Sequence, residues 1–307
     1  MIYGLFALLA LLALAAWPVV REMRRAPMDA KARKSAPGKF VTLSNGVTHY
    51  QWLGASEGPV AVCVHGLTTP SYVYHALAAG LGKTGFRVLI YDHFGRGYSD
   101  RKNMAQDADF FVKNLEELLK DQNVESDITL IGYSMGGAVV TAFAAKHADR
   151  LRRLILIAPA GMGHDLGRMM KFMQAVPLAG RWLMHMAYPA SHRKGCEAER
   201  NLPTSVPGIV DLQLKELNYR GFIDAVLSSM RGLISSDMDA MHRNIAHAEI
   251  PVLAIWGAQD AVIPIAAKDV LTERNPAAQN AVIAGAGHGL TYTHTNDVLA
   301  AIKAFLE

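Results

Sequence analysis

Ser134 lies in the run Ile131-Gly132-Tyr133-Ser134-Met135-Gly136-Gly137, a Gly-x-Ser-x-Gly pattern between a β-rich segment, Ile128–Ile131, and a helix-like one, Gly136–Lys146. A strand, a sharp turn and a helix together lift a serine hydroxyl clear of a sheet edge, and the helix N-terminus favours negative charge beside it. A serine hydroxyl is a poor nucleophile at neutral pH. It needs a base, and the base needs an orienting acid. The sequence supplies both at strand ends, in the order serine, acid, histidine. Asp260 closes Trp256-Gly257-Ala258-Gln259-Asp260 after the apolar run Val252–Ile255, 126 residues beyond Ser134. His288 stands in Gly285-Ala286-Gly287-His288-Gly289 after Ala281–Ile283, another 28 residues on. Among twelve histidines, His288 is set apart by this glycine-flanked loop, which leaves its ring free to swing over the serine. The chemistry in view is acyl transfer, whose charged intermediate needs amide donors. One is expected from Met135, immediately after Ser134, and the other from Leu67 in the loop His65-Gly66-Leu67-Thr68 that follows Val60–Val64. His65 itself is assigned to hydrogen-bonding that loop. Such chemistry needs no metal and no organic cofactor.

The elements that must hold these residues are legible as short, near-continuously apolar runs: Val60–Val64, Arg87–Tyr91, Ile128–Ile131, Leu154–Ala158, Val252–Ile255 and Ala281–Ile283. Continuous apolarity is the mark of parallel strands buried on both faces. Helix-like stretches at Tyr74–Leu81, Asp109–Leu119 and Gly136–Lys146 separate several of them. The alternation predicts an α/β fold with a mostly parallel sheet and helices on both faces. Ahead of it, Phe40–Leu43, Asn45-Gly46 and Val47–Trp52 read as a β-hairpin. The core is thus expected over residues 40–160 and 246–307. Some 90 residues separate Ala158 from Val252, too many for one crossover, and residues 161–245 are read as a helical cap over the C-terminal strand ends. Nine of the fourteen methionines fall between Met162 and Met241. They suit either an alkyl or acyl substrate, because methionine tolerates varied apolar shapes, or simply the packing of the cap's own core.

The chain has 307 residues, 51% apolar and 19% charged, which excludes wholesale disorder, and its two cysteines exclude a disulfide scaffold. A net charge of +4 invites a nucleic-acid reading, but the charge is local: Arg21 to Lys39 carries +5 and the rest of the chain −1. No nucleic-acid partner is therefore expected. Residues 1–20, MIYGLFALLALLALAAWPVV, contain no charge. At 1.5 Å per residue they reach roughly 30 Å, the thickness of a hydrocarbon core. The basic residues follow the apolar run rather than precede it, which favours a retained single-pass anchor and puts the catalytic domain in the cytoplasm. The alternative is a cleaved signal at Ala13-Leu14-Ala15, with a secreted or periplasmic product. Residues 21–39 read as a basic linker, either resting on anionic lipid head groups or merely solvated.

The sequence resembles the α/β-hydrolases over residues 40–307. Four motifs carry the resemblance in order: His65-Gly66; Asp92-His-Phe-Gly95-Arg-Gly97-Tyr-Ser99-Asp100; Gly132–Gly136; and the Asp260/His288 pair, with Asp260-Ala-Val-Ile-Pro264 matching the family's Asp-x-x-x-Pro. The resemblance implies Ser134 as nucleophile, Asp260 as acid and His288 as base, with Asp92 and its neighbours shaping a turn. It points to the branch containing esterases, monoacylglycerol lipases, epoxide hydrolases and C–C bond hydrolases. A serine in place of a carboxylate turns the reading from epoxides and alkyl halides to acyl carbonyls. The His-Gly-Leu loop departs from the triple-glycine loop of another esterase branch, which turns the reading from bulky tertiary-alcohol esters. With the apolar N-terminus, the whole is similar to membrane-anchored monoacylglycerol lipases and carboxylesterases. That similarity implies a hydrophobic small-molecule ester as substrate and membrane lipid as a partner of residues 1–39. Two other readings share these residues: a C–C bond hydrolase of ring-cleavage products, and a non-catalytic receptor for a small hydrophobic ligand.

Overall fold

The computed structural model of the chain describes residues 2–162 and 167–307; residue 1 of the expected anchor and residues 163–166 of the expected cap lie outside the described residues. Eight strands form one sheet: β1 (Lys39–Leu43), β2 (Gly46–Gly54), β3 (Val60–Val64), β4 (Arg87–Tyr91), β5 (Ile128–Tyr133), β6 (Leu151–Ile157), β7 (Val252–Gly257) and β8 (Gln279–Ile283). Their spatial order is β1-β2-β4-β3-β5-β6-β7-β8. The hairpin strands β1 and β2 are antiparallel to each other, and β2 is antiparallel to β4; every other pairing is parallel. β5 and β7 are buried along their whole length, as continuous apolar runs require. β6 begins at Leu151, ahead of the apolar run, because Arg153 pairs with Thr129 through the backbone whatever its side chain does.

Helices α1 (Ile2–Arg24) and α2 (Ala30–Arg33) precede the sheet, and α3 (His75–Lys83), α4 (Ala108–Asp121) and α5 (Met135–Lys146) are interleaved with its first strands. α4 is a plain amphipathic helix. Asp107 caps it by accepting from the Phe110 amide, and Phe111, Leu115, Leu118 and Leu119 form the buried face. α5 is buried almost all round, from Met135 to Ala144, and its small side chains let it sit directly behind the sheet. Between β6 and β7 come α6 (Gly167–Ala175), α7 (Pro177–Ala198), α8 (Ile209–Lys215), α9 (Phe222–Arg231) and α10 (Asp239–His247); α11 (Ala267–Arg274), α12 (Leu290–Thr293) and α13 (Thr295–Leu306) complete the chain.

Several methionines between Met162 and Met241 are core residues. Met173, Met184 and Met230 join Phe222, Ile223 and Val226 in a separate apolar cluster, and Met162 and Met238 pack with the main core. Burial of each such side chain contributes about 1.5–3 kcal/mol.

Residues 21–39 are folded onto the domain rather than free. α1 continues to Arg24, and Ala26 bridges to Tyr219 in parallel register. Arg33 donates to the Tyr98 carbonyl at 2.9 Å and to the Asp100 carboxylate at 2.5 Å. The stretch read as a linker thus touches the domain at Ala26 and Arg33, while Arg21 and Arg24 border an open pocket.

Candidate active site

The chain runs from β3 outward to β4 and then returns to the other side of β3 as β5. That reversal opens a crevice at the carboxyl ends of β3 and β5, where open α/β sheets take ligands. Leu67 follows β3 and Ser134 follows β5, so the crevice lies between them. Ser134 has φ +55° and ψ −120°, a conformation that L residues rarely adopt. It is clamped there by its own amide donating to Ile157 O at 2.9 Å and by its carbonyl accepting from Gly137 N and Ala160 N at 2.8 and 3.0 Å. The flanking glycines are required by contact. A Cβ on Gly136 would lie 1.9 Å from Val64 O, and one on Gly132 would lie 2.4 Å from Gly136 O.

The three residues picked out by spacing meet. His288 Nε2 lies 2.9 Å from Ser134 Oγ, and His288 Nδ1 lies 2.8 Å from Asp260 Oδ2. The other oxygen of Asp260 accepts the amides of Val262 and Ile263, both at 2.8 Å, so the carboxylate is fixed in orientation before it meets the ring. Nδ1 of His288 therefore donates to Asp260, which leaves Nε2 as the acceptor that faces the serine hydroxyl. Ser134 and Asp260 are buried, and the His288 side chain is 20% exposed, open on the side a substrate would approach.

Met135 opens α5, so its amide is among the first-turn donors that have no carbonyl within their own helix. The Leu67 peptide is held from behind, where its carbonyl accepts Arg96 Nε at 3.0 Å. His65 braces the same loop: Nδ1 donates to Gly66 O at 2.8 Å and Nε2 accepts the His93 amide at 2.9 Å. Both bonds need a neutral imidazole, and burial pulls the His65 pKa down to about 4.

Sequence reasoning passed over Tyr133 and Arg96 as parts of the site and gave Asp92 only the shaping of a turn. Tyr133 donates its hydroxyl to His288 O at 2.9 Å and lays its ring beside the imidazole, pinning the histidine loop. Arg96, inside the Asp-x-x-Gly-x-Gly-x-Ser stretch, is fully buried. Besides Leu67 O it donates to Phe94 O at 2.9 Å, Gln106 Oε1 at 2.5 Å, Ala225 O at 3.2 Å and Ser229 Oγ at 2.8 Å. One guanidinium thus ties the Leu67 loop to α9. Asp92 is fully buried and accepts four donors: Ser71 N and Oγ at 2.9 and 2.6 Å, His49 Nδ1 at 2.8 Å and Tyr98 N at 2.9 Å. Burial would raise its pKa, but the His49 bond and charge outweigh that and hold the carboxyl below its usual range.

Ser134 and His288 open into a cavity of about 290 Å³ whose far wall comes from α7 and α8 through His192, Cys196, Glu199 and Gln213. Among the described residues no methionine lines it. Its distal end is polar: Tyr292 donates to Glu199 Oε2 at 2.5 Å and Gln213 Nε2 donates to Thr69 Oγ1 at 3.0 Å. Gln213 is 5% exposed, and its Oε1 is buried with no partner. No cluster of residues suited to a metal occurs among the described residues.

Known proteins place this architecture. The chain is 25% identical over 289 residues to the cis-3-alkyl-4-alkyloxetan-2-one decarboxylase of Shewanella oneidensis, covering 87% of each chain. It is 26% identical over 225 residues to lipase 3 of a Moraxella species, covering 72% of this chain and 69% of the lipase. An esterase from Exiguobacterium antarcticum superposes with a TM-score of 0.73 at 18% identity, covering 87% of this chain and 98% of the esterase. The pattern that defines the family described as serine aminopeptidase, S33 matches residues 56–294. With that match across most of its length, the chain belongs to the serine aminopeptidase S33 family and has the α/β-hydrolase fold.

Proposed function

We infer that the protein hydrolyses a carboxylic ester through an acyl-enzyme, and that its substrate is a lipid-like ester such as a monoacylglycerol. The observation that carries the reading is the relay Ser134–His288–Asp260, with contacts of 2.9 and 2.8 Å. His288 Nε2 takes the Ser134 proton as the hydroxyl oxygen attacks the ester carbonyl. The Met135 and Leu67 amides hold the oxyanion, and His288 returns the proton to the departing alcohol. A water deprotonated by His288 then hydrolyses the acyl-enzyme. The polar end of the cavity supports an alcohol bearing further hydroxyls. Gln213, Thr69 and Tyr292 line it and offer polar groups for such hydroxyls. α6–α10 act as the cap, and the apolar α1 holds the enzyme at a membrane that dissolves its substrate. Relatives named for a lipase and for a cyclic-ester substrate, the oxetan-2-one, are in keeping with ester chemistry.

The test is a panel of esters varied in acyl length and alcohol, run on detergent-solubilised protein with fluorophosphonate labelling alongside. Wild type is expected to label and to turn over monoacylglycerols, and Ser134→Ala to do neither. Full activity in Ser134→Ala refutes the mechanism. Turnover of a dienol diketone without any ester turnover transfers the reading to C–C bond hydrolysis.

A further inference from the structure

α1 is not a free span. From Leu14 onward one face lies along the first half of α7. Trp182 Nε1 donates to Leu14 O at 3.2 Å, and Ala15, Pro18 and Glu22 share with Leu178, Trp182 and His185 the lining of a groove of about 450 Å³. The far end is locked by charge. Glu22 is 7% exposed, accepts the Gly221 amide at 2.5 Å and pairs with Arg25, while His185 lies 3.6 Å away. His185 is held in turn by Asp224, which also binds Arg181.

This docking shortens the part of α1 that is free of the domain to residues 2–13. At 1.5 Å per residue those twelve residues reach roughly 18 Å, well short of the roughly 30 Å hydrocarbon core. The helix can bury its remaining apolar length only by taking along the surface to which it is docked. That surface is built for it. Where α6 turns into α7, Phe172 is 47% exposed and Leu178 86%, the latter the most exposed large apolar side chain outside α1 among the described residues. Around the base of α1, Arg21, Arg24 and Arg193 border one open pocket, as an anionic head-group layer requires.

We propose that α1 and the α6–α7 corner of the cap form one membrane-inserting surface, with Leu178 and Phe172 in the acyl region of an anionic bilayer and Arg21, Arg24 and Arg193 at its head groups. The proposal rests on reading α1 as membrane-embedded and goes beyond it by adding a second, discontinuous contact. Its consequence for the reaction is orientation: α7 continues from the immersed corner to His192 and Glu199, which line the catalytic cavity. The helix that touches lipid is also a wall of the site.

The experiment uses the full chain in phosphatidylglycerol/phosphatidylcholine vesicles, with an environment-sensitive dye placed on single added cysteines. Leu9→Cys probes α1, Leu178→Cys and Phe172→Cys probe the corner, and Glu273→Cys on exposed α11 reports water. The native cysteines are both buried, so the unmodified chain is the blank. Lipids carrying spin labels on their acyl chains are expected to quench the dye at 9, 172 and 178 by several-fold more than at 273. Quenching at 9 with positions 172 and 178 behaving like 273 overturns the inference and leaves the anchor intact. No quenching at 9, 172 or 178 overturns the anchor reading itself.

Discussion

Arg96→Met tests whether the Leu67 loop is positioned or merely present. Methionine keeps the length and apolar stem of arginine and removes all five N–H donors. Not every acceptor is stranded. Phe94 O keeps Gln106 Nε2 at 3.3 Å, and Gln106 Oε1 keeps Ser229 Oγ at 2.6 Å. Ala225 O lies within α9 and retains a helical partner, so the Leu67 carbonyl is the group left without its bond. One stranded buried acceptor costs about 1–3 kcal/mol, and the weakened remainder brings the expected loss to about 2–4 kcal/mol. In a chain of this size that is a fall in Tm of roughly 3–6 °C. The Leu67 peptide would then be free to rotate, degrading one oxyanion donor. Outright removal of such a donor costs 10²–10³ in kcat, so a misaimed one should cost roughly 10- to 100-fold with KM little changed. The assay is hydrolysis of a short p-nitrophenyl ester well below the variant's Tm, with circular dichroism confirming the fold. Wild-type kcat in a folded Arg96→Met protein would refute the reasoning and reduce Arg96 to a strut for α9.

Asp260→Asn should cut kcat by roughly 10³–10⁴ while leaving the fold intact, because the amide pairs with the wrong tautomer of His288; rapid single-turnover measurements on the ester panel check it. The His49–Asp92 pair should give stability a pH signature. Burial lowers the His49 pKa, but the Asp92 hydrogen bond and charge outweigh it and leave the group above 6.5. Its contribution is therefore complete below about pH 6.5 and is lost as pH rises through the folded value, whereas the depressed Asp92 loses its share only in strong acid. Urea unfolding from pH 5 to 9 should show stability falling on the alkaline side, and His49→Gln should flatten that limb alone. An unchanged slope in the variant would assign the titration elsewhere.

The parts of the molecule that were legible in the sequence are those fixed by local pattern. β3 and β7 are apolar from end to end, and β4 and β5 nearly so, because both faces are covered, and the elbow at Ser134 announces itself through glycines that contact forces into place. Asp260 and His288 were readable from their strand-end positions because parallel strands deliver their loops to one edge. What pattern could not supply was contact across the chain. Arg96 looks like one more turn residue until its partners on α9, some 130 positions away, are known. The stretch after Val20 looks like a linker because nothing local shows that Glu22 meets Gly221 or that Arg33 meets Asp100. The methionines between Met162 and Met241 are ambiguous for the same reason: composition gives their chemistry, and only packing tells which way each side chain faces.

The backbone at Ser134 sets two demands on one position against each other. Left-handed torsions there are relaxed best by glycine, the residue that removes the hydroxyl. Variants of this chain selected for thermal endurance alone would therefore drift toward glycine at 134 and emerge sturdier but inert. Positions 132 and 136 would not move under either selection, since any side chain there strikes backbone whether or not the enzyme is asked to turn over. A library sorted by heat and then by hydrolysis should show this divergence at three positions within a single pentapeptide.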